Sequence, residues 1–148
     1  MNITIRRMQP EDVDCVLNLD QKCFPDPWNR EAFAYAAAHD FYLVAEDADK
    51  IVAYAGLQIS LDEADLMNIA VDQDYRRMGI GETLLQQLIL NQQKSVKKIF
   101  LEVREHNRAA FALYEKMGFA SISVRKVYYH NPTVDAVIML LQIEENNE

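Results

Sequence analysis

The sequence predicts a single mixed α/β domain in which helices cover a central sheet. Segments with apolar residues at every second position alternate with segments whose apolar residues recur every three or four positions, as in strands and helices. The chain has 148 residues, half of them hydrophobic, which suffices for one well-packed core and not for two. We therefore expect one domain over residues 1–148, with a frayed tail from about residue 144.

The first half of the chain predicts a strand, two helices and three further strands. Ile3 and Ile5 alternate with polar residues in the first strand, and Pro10 opens the first helix. The apolar stripe of that helix is Val13, Val16, Leu17 and Leu19. The prolines of "FPDPWN" predict a loop, after which Asn29 caps a helix through Ala38. "FYLVAED" and "IVAYAGLQIS" form a hairpin around "ADK", and "ADLMNIAV" is the next strand.

The second half alternates helices and strands. A helix runs from Ile80 to about Gln93, with Ile80, Leu84 and Leu88 on one line and Leu85 beside it. "KKIFLEVR" is a strand with Ile99, Leu101 and Val103 on one face and Phe100, Glu102 and Arg104 on the other. Asn107 caps a helix that Gly118 ends, and strands around "FASISVRKVYY" and "DAVIMLLQI" follow. The predicted order is β-α-α-β-β-β-α-β-α-β-β.

Composition excludes several classes of function. The net charge of −8, from 23 acidic and 15 basic residues, argues against nonspecific nucleic-acid binding and suits either a basic partner or simple solubility. The sequence has no apolar run of the ~18 residues that span a bilayer, and its N-terminus lacks a signal-peptide pattern, so we expect a cytoplasmic protein. Cys15 and Cys23 read as reduced thiols, and the scattered His39, His106 and His130 predict no metal site.

Two of the four glycines, Gly79 and Gly81, stand between the strand "ADLMNIAV" and the helix that begins near Ile80. The first N–H groups of a helix have no internal partner and lie at the positive end of its dipole, so this turn is suited to a phosphate. Arg76 and Arg77 add two guanidinium groups beside it. The alternative is a tight turn with solvated arginines. The pattern is neither GxxxxGK[ST] nor GxGxxG, which disfavours nucleoside triphosphates and dinucleotides.

"RRMGIG" resembles the R/Q-x-x-G-x-G/A acetyl-coenzyme A motif of the GNAT superfamily of N-acetyltransferases. "NIAVDQDYRRMGIGETLL", "LEVREHNRAAFALYEKMGF" and "YYHNPTVDAVIM" follow one another as in the members that acetylate the N-terminal alanine of a ribosomal protein, and "PWNREAF" extends the likeness toward the N-terminus. The resemblance implies the GNAT fold, a mixed, mostly antiparallel sheet flanked by helices with splayed middle strands. It also implies acetyl-coenzyme A as co-substrate and no metal.

The resemblance implies which residues contact the coenzyme. The backbone of Ile69, Ala70 and Val71 matches the strand that hydrogen-bonds pantetheine, and the Val71 N–H matches a donor to the tetrahedral oxyanion. The predicted pyrophosphate cradle is Arg76, Arg77, Met78, Gly79, Ile80 and Gly81. Asn107 matches an asparagine that contacts coenzyme A, although a helix N-cap explains it equally well.

The resemblance also assigns the acid and the base. Glu102 matches the general base, and burial beside apolar neighbours such as Phe100 would strengthen it; otherwise it is a solvated strand glutamate beside Arg104. Tyr114 matches the general acid that protonates the coenzyme A thiolate, and it is also a core aromatic of its helix. The cysteines are the alternative acyl carriers, but no histidine has a spacing suited to activate them.

The substrate implied is a peptide N-terminus, threaded between residues 24–28 and the last hairpin with Tyr128 and Tyr129. Acidic residues expected around that groove, where a basic ribosomal tail would bind, are Asp26, Glu31, Asp62, Glu63 and Asp65. Asn29, His106 and Val134 depart from residues common at their positions in these enzymes, which affects the fine substrate preference.

The function predicted from the sequence is transfer of acetyl from acetyl-coenzyme A to the N-terminal alanine of a small-subunit ribosomal protein by a cytoplasmic monomer. One alternative is a GNAT enzyme for another amine: a different N-terminus, a lysine or a small molecule. The other is a coenzyme A-binding sensor without catalysis.

Overall fold

The computed structural model describes residues 2–127 and 134–143, which contain seven strands and four α-helices. The strands are β1 (Ile3–Arg7), β2 (Phe41–Asp47), β3 (Lys50–Ser60), β4 (Glu63–Val71), β5 (Lys98–Arg104), β6 (Ala120–Val127) and β7 (Val134–Gln142). The helices are α1 (Val13–Cys23), α2 (Arg30–His39), α3 (Ile80–Gln92) and α4 (Arg108–Lys116). Their order along the chain confirms the predicted one.

The chain divides into two compact units. The first holds residues 2–59 and 67–92, and the second holds residues 60–66 and the described residues after 92. Strand β4 contributes its last residues to the first unit and its first residues to the second. The prediction of one domain over residues 1–148 stays a prediction.

In the first unit the strands follow the order β1-β2-β3-β4, and β2 pairs antiparallel with both β1 and β3. The core joins α1 and α2 to the sheet. Its buried side chains are Met8, Val13, Val16, Leu19, Phe33, Ala36, Tyr42, Val44, Tyr54 and Ala70. The stripe predicted for α1 is thus confirmed at three positions, while Leu17 is half-buried. Asn29 caps α2 as predicted, accepting a hydrogen bond from the Ala32 N–H at its Oδ1 (2.8 Å).

Pro10 does not begin an α-helix directly. It opens a short 3₁₀ turn, Pro10–Asp12, and the α-helix begins at Val13. Asp12 fixes this turn because its carboxylate accepts from the Gln9 N–H (2.7 Å) and from both terminal nitrogens of Arg6 (2.7 and 2.8 Å). Arg6 of β1 therefore helps to fix the turn that precedes α1. Helix start signals do not include this contact, because Arg6 belongs to another element.

In the second unit the order is β4-β5-β7-β6, with β5 and β6 both antiparallel to β7. The parallel pairing of β4 with β5 covers only Glu63 to Asp65 and Lys98 to Phe100, although the strands run on to Val71 and Arg104. Ile99, Leu101 and Val103 are buried as predicted, and Gly118 ends the α4 region with φ +102°.

The mixed, mostly antiparallel sheet with four helices confirms the predicted α/β fold class. Cys15 and Cys23 are free thiols, as predicted. No helix among the described residues is both long and apolar enough to cross a bilayer.

Candidate active site

In the first unit, β4 ends at Val71 and α3 begins at Ile80, so the predicted pyrophosphate residues lie on the connection between them. Asp72 anchors the start of this connection. Its N–H donates to the Val52 carbonyl (2.8 Å), and its Oδ1 accepts from the Asp74 N–H (3.0 Å). Asp72 therefore fixes the first residues of the connection both to β3 and to the next turn of the chain.

Two residues in the connection have left-handed backbone, Arg77 with φ +66° and Gly79 with φ +77°. Gly79 adopts this conformation freely, whereas Arg77 is strained by roughly 1 kcal/mol. Among the residues that the structure describes, the other two non-glycine residues with positive φ are Ala48 and Leu61, which lie at hairpin turns, where such backbone is ordinary. At Arg77 the strain instead accompanies an exposed turn that leads into a helix, which is where backbone N–H groups converge on anions.

The helix that follows presents N–H groups without intrahelical acceptors. The Thr83 N–H donates to the Gly79 carbonyl (3.0 Å), one turn into a helix that begins at Ile80, so the N–H groups of Ile80 and Gly81 precede the helical ladder. The Arg76 Nε donates to the Val71 carbonyl (3.2 Å) and so fastens the turn to the strand end. Arg77, Met78 and Gly79 are exposed, so the turn is open to a ligand.

The presence of glycine has different explanations at positions 79 and 81. A Cβ added at Gly79 would meet nothing within 4 Å, so its positive φ alone accounts for the glycine. A Cβ at Gly81 would lie 3.6 Å from Val71 Cγ2 and 3.8 Å from Ile69 Cδ1, which is ordinary contact, and its φ is not positive. Neither backbone nor packing accounts for Gly81. The turn is thus compatible with the predicted close approach of a phosphate at Gly81.

In the second unit, Glu102 lies on the exposed face of β5, opposite Ile138 of β7. Its side chain is 46% exposed, and its Oε1 is 3.7 Å from Arg125 Nη1 on β6. Of the two alternatives left open for Glu102, a buried carboxylate and a solvated one, the structure shows the solvated one. One charged neighbour of this carboxylate is Arg125. An exposed carboxylate can still take up a proton and pass it to water.

Asn107 and Tyr114 lie at the start and near the end of α4 in the same unit. Asn107 Oδ1 accepts from the Ala110 N–H (3.3 Å), which confirms the predicted cap and leaves the amide NH₂ as a separate donor. Tyr114 is 7% exposed and packs edge-on against Phe119, with ring centroids 5.9 Å apart. Burial raises the pKa of the Tyr114 phenol to about 12, so it carries its proton at neutral pH, as an acid must.

Other candidate chemistry finds less support. The Cys23 thiol lies 3.7 Å from the Val71 carbonyl, and burial raises its pKa, which reduces the thiolate needed for an acyl carrier. Within residues 2–127 and 134–143, no three His, Cys, Asp or Glu side chains group in a way that could hold a metal ion. Tyr128 and Tyr129, predicted for the peptide groove, lie outside the described residues. The predicted acidic residues around that groove are all exposed.

The chain is an α/β protein with an exposed strand–turn–helix connection, the place where the sequence predicts anion binding. A profile of the acetyltransferase (GNAT) family matches residues 13–119, and the chain belongs to this family.

Known proteins resemble the chain along nearly its whole length. It is 39% identical to the [ribosomal protein bS18]-alanine N-acetyltransferase (RimI) of Escherichia coli K12 over 147 residues, covering 95% of this chain and 97% of the other. The crystal structure of the Escherichia coli ribosomal-protein-S18-alanine N-acetyltransferase matches with a TM-score of 0.91 and 37% identity, over 99% and 97% of the two chains. Arabidopsis thaliana NAA60 in complex with acetyl-CoA shares the fold, with a TM-score of 0.88 at 17% identity over 96% and 99%.

Proposed function

We propose that this protein transfers acetyl from acetyl-coenzyme A to the N-terminal α-amino group of a protein, specifically the N-terminal alanine of a small-subunit ribosomal protein. The observation that carries the proposal is the 39% identity to the Escherichia coli bS18-alanine N-acetyltransferase over 95% of the chain. The exposed turn before α3, which neither packing nor positive φ requires to have a glycine at position 81, supports coenzyme A as the carrier.

In the proposed complex, the backbone of Ile69, Ala70 and Val71 binds the pantetheine arm, and residues 76–81 bind the pyrophosphate through their N–H groups. Arg77 adds the side-chain charge, because Arg76 is already bonded to the strand end. The Asn107 NH₂ donates to the coenzyme while its Oδ1 keeps the cap.

The reaction is direct attack of the substrate amine on the thioester carbonyl. Glu102 accepts the proton that the amine nitrogen loses, and the Val71 N–H donates to the oxyanion. The carbon–sulfur bond then breaks, and the departing thiolate takes the proton of the Tyr114 hydroxyl. Water then returns a proton to the Tyr114 oxygen and takes one from Glu102, which restores both groups. No side-chain nucleophile is needed, which agrees with the raised pKa of the Cys23 thiol.

The assay that tests this function measures coenzyme A release with basic peptides matched except at residue one: Ala, Ser, Gly or Met, and an N-terminally blocked Ala peptide that contains lysine. We expect turnover of free Ala, alone or with Ser, and a weaker response when the basic residues are made neutral. Turnover of the blocked peptide would contradict N-terminal specificity. Absence of turnover with every peptide would favour the alternatives of a small-amine substrate or a binding-only role.

The glycines of the turn allow a prediction that separates binding from folding. Gly81→Ala should leave the free energy of unfolding unchanged or raise it by up to about 1 kcal/mol, because alanine favours the helix and its methyl group fits the space. The same variant should raise the KM for acetyl-coenzyme A about tenfold, since its methyl group obstructs the pyrophosphate. Gly79→Ala should instead cost about 1 kcal/mol of stability through its positive φ.

The control for the turn is Gln86→Ala on the exposed surface of α3, which should change neither property. A Gly81→Ala enzyme with the wild-type KM for acetyl-coenzyme A would show that the pyrophosphate does not approach this turn.

The second prediction concerns the acid. Tyr114→Phe should lower kcat about tenfold, which is less than the 10²–10⁴ typical of general acids, because a thiolate with a pKa near 8.5 leaves fairly well unaided. The KM for acetyl-coenzyme A should stay within about twofold, since the ring still packs on Phe119.

With the pKa of Tyr114 raised to about 12, wild-type kcat should show no alkaline fall from this group below about pH 11. Single-turnover and steady-state rates from pH 6 to 10 measure both effects. Unchanged kcat in the Phe variant would remove Tyr114 from the chemistry.

A further inference from the structure

A buried carboxylate in the first unit has no part in the chemistry above. Asp20 is 1% exposed and lies in the last turn of α1. A carboxylate there is disfavoured twice, by loss of hydration and by the negative end of the helix dipole. Its spacing from Val13 and Val16 places it on the buried stripe of α1, where an apolar residue would pack well. Helix formation therefore does not account for an aspartate at this position.

The contacts of Asp20 explain it. Its Oδ2 accepts from the Trp28 N–H (2.8 Å), and its Oδ1 accepts from the Tyr54 hydroxyl on β3. Its backbone carbonyl also accepts from the Phe24 N–H (3.0 Å). One residue thus bonds both ends of the loop 24–28. Pro25 and Pro27, within the loop, supply no N–H to hold it in another way.

Aromatic packing completes the attachment of this loop. The Trp28 ring lies 5.1 Å from the Phe33 ring and 6.4 Å from the Tyr42 ring, between centroids. The Tyr42 hydroxyl in turn donates to Asn68 Oδ1 on β4 (2.8 Å), next to the strand residues proposed to bind pantetheine. The loop is therefore fixed to the same strand that leads to the coenzyme turn.

We infer that Asp20 is a positioning residue that holds the loop 24–28 in the conformation that binds the peptide substrate. It touches no substrate itself and acts through the Trp28 and Phe24 N–H groups. The inference rests on the proposed function and on the peptide path implied by the sequence resemblance, in which residues 24–28 form one side of the peptide site. Asp20 should consequently control affinity for the peptide and leave affinity for acetyl-coenzyme A unaffected.

The test uses the single tryptophan of the chain, since Trp28 fluorescence reports on this loop alone. In Asp20→Ala we expect a red-shifted emission, stronger quenching by acrylamide, and a KM for the alanine-terminated peptide about tenfold higher, as loss of a buried hydrogen bond would give. The KM for acetyl-coenzyme A should stay within about twofold. Asp20→Asn, whose amide oxygen still accepts from the Trp28 N–H, should recover most of the wild-type quenching and peptide KM.

The matched control is Val16→Ala, one turn earlier on the same buried stripe and also fully buried. It should destabilise the fold without changing quenching or peptide KM. Equal quenching in Asp20→Ala and wild type would overturn the inference, and so would equal effects in Val16→Ala. If the wild type turns over no peptide, the proposed function fails, but the quenching comparison still decides whether Asp20 positions the loop.

Discussion

Replacing Glu102 by glutamine should lower kcat/KM for an alanine-terminated peptide by about 10²-fold at pH 7, at the low end of the 10²–10⁴ range for a general base. The expected loss is no larger because an α-amino group with a pKa of about 7.7 to 8.0 is already partly neutral at pH 7 and needs only modest help to lose its proton. The defect should shrink as the pH rises toward 9, since the amine then deprotonates without help. Initial rates across pH 6 to 9 measure both the size and the direction.

Glu105→Gln is the matched control for this variant, because Glu105 lies just beyond β5, is exposed, and loses the same charge. If Glu102→Gln acted only by making the surface less acidic and so weakening binding of the basic peptide, Glu105→Gln would lower kcat/KM by the same factor. Arg125→Ala, which removes an exposed cation 3.7 Å from Glu102, should change the rate far less than Glu102→Gln. Wild-type turnover by Glu102→Gln would remove Glu102 as the base and leave the acetyltransferase activity in need of another proton acceptor.

Gly56→Ala should destabilise the protein by about 3 kcal/mol, the largest stability effect we expect from adding one methyl group. Gly56 pairs directly with Tyr42 across β2 and β3, and a Cβ there would lie 2.1 to 2.2 Å from atoms of the Tyr42 ring. The ring has nowhere to go, because it is 1% exposed, stacks on Tyr54 at 6.5 Å and bonds Asn68. For a chain of this length, Tm should fall by roughly 6 to 12 °C.

Denaturant unfolding with a double-mutant cycle tests the cause. Tyr42→Leu in the Gly56→Ala background should cost less than the two single changes added together, because the smaller side chain removes the overlap. Gly81→Ala is the control, since a Cβ there meets only ordinary contacts. Additive effects in the cycle, or a Gly56→Ala protein as stable as Gly81→Ala, would contradict this explanation.

Neighbouring residues carried most of the information about the fold. The helix that begins at Ile80, the cap at Asn29 and the alternation along β5 all depend on contacts within a few residues, so periodicity and capping rules predicted them. The 3₁₀ start at Pro10 was missed because Arg6, on another element, binds Asp12 there. The glycine pair was informative for the site because a strand, a turn and a helix start are contiguous in the chain.

Contacts between distant residues decided the rest. The sequence by itself determined the order of elements, the family resemblance and the position of the coenzyme turn, because each is a local pattern. Only the tertiary structure decided that Glu102 faces solvent and Arg125, that Tyr42 covers Gly56, and that Asp20 bonds Trp28 and Tyr54. Strand register and helix packing set those contacts, since they bring together side chains that no spacing along the chain relates.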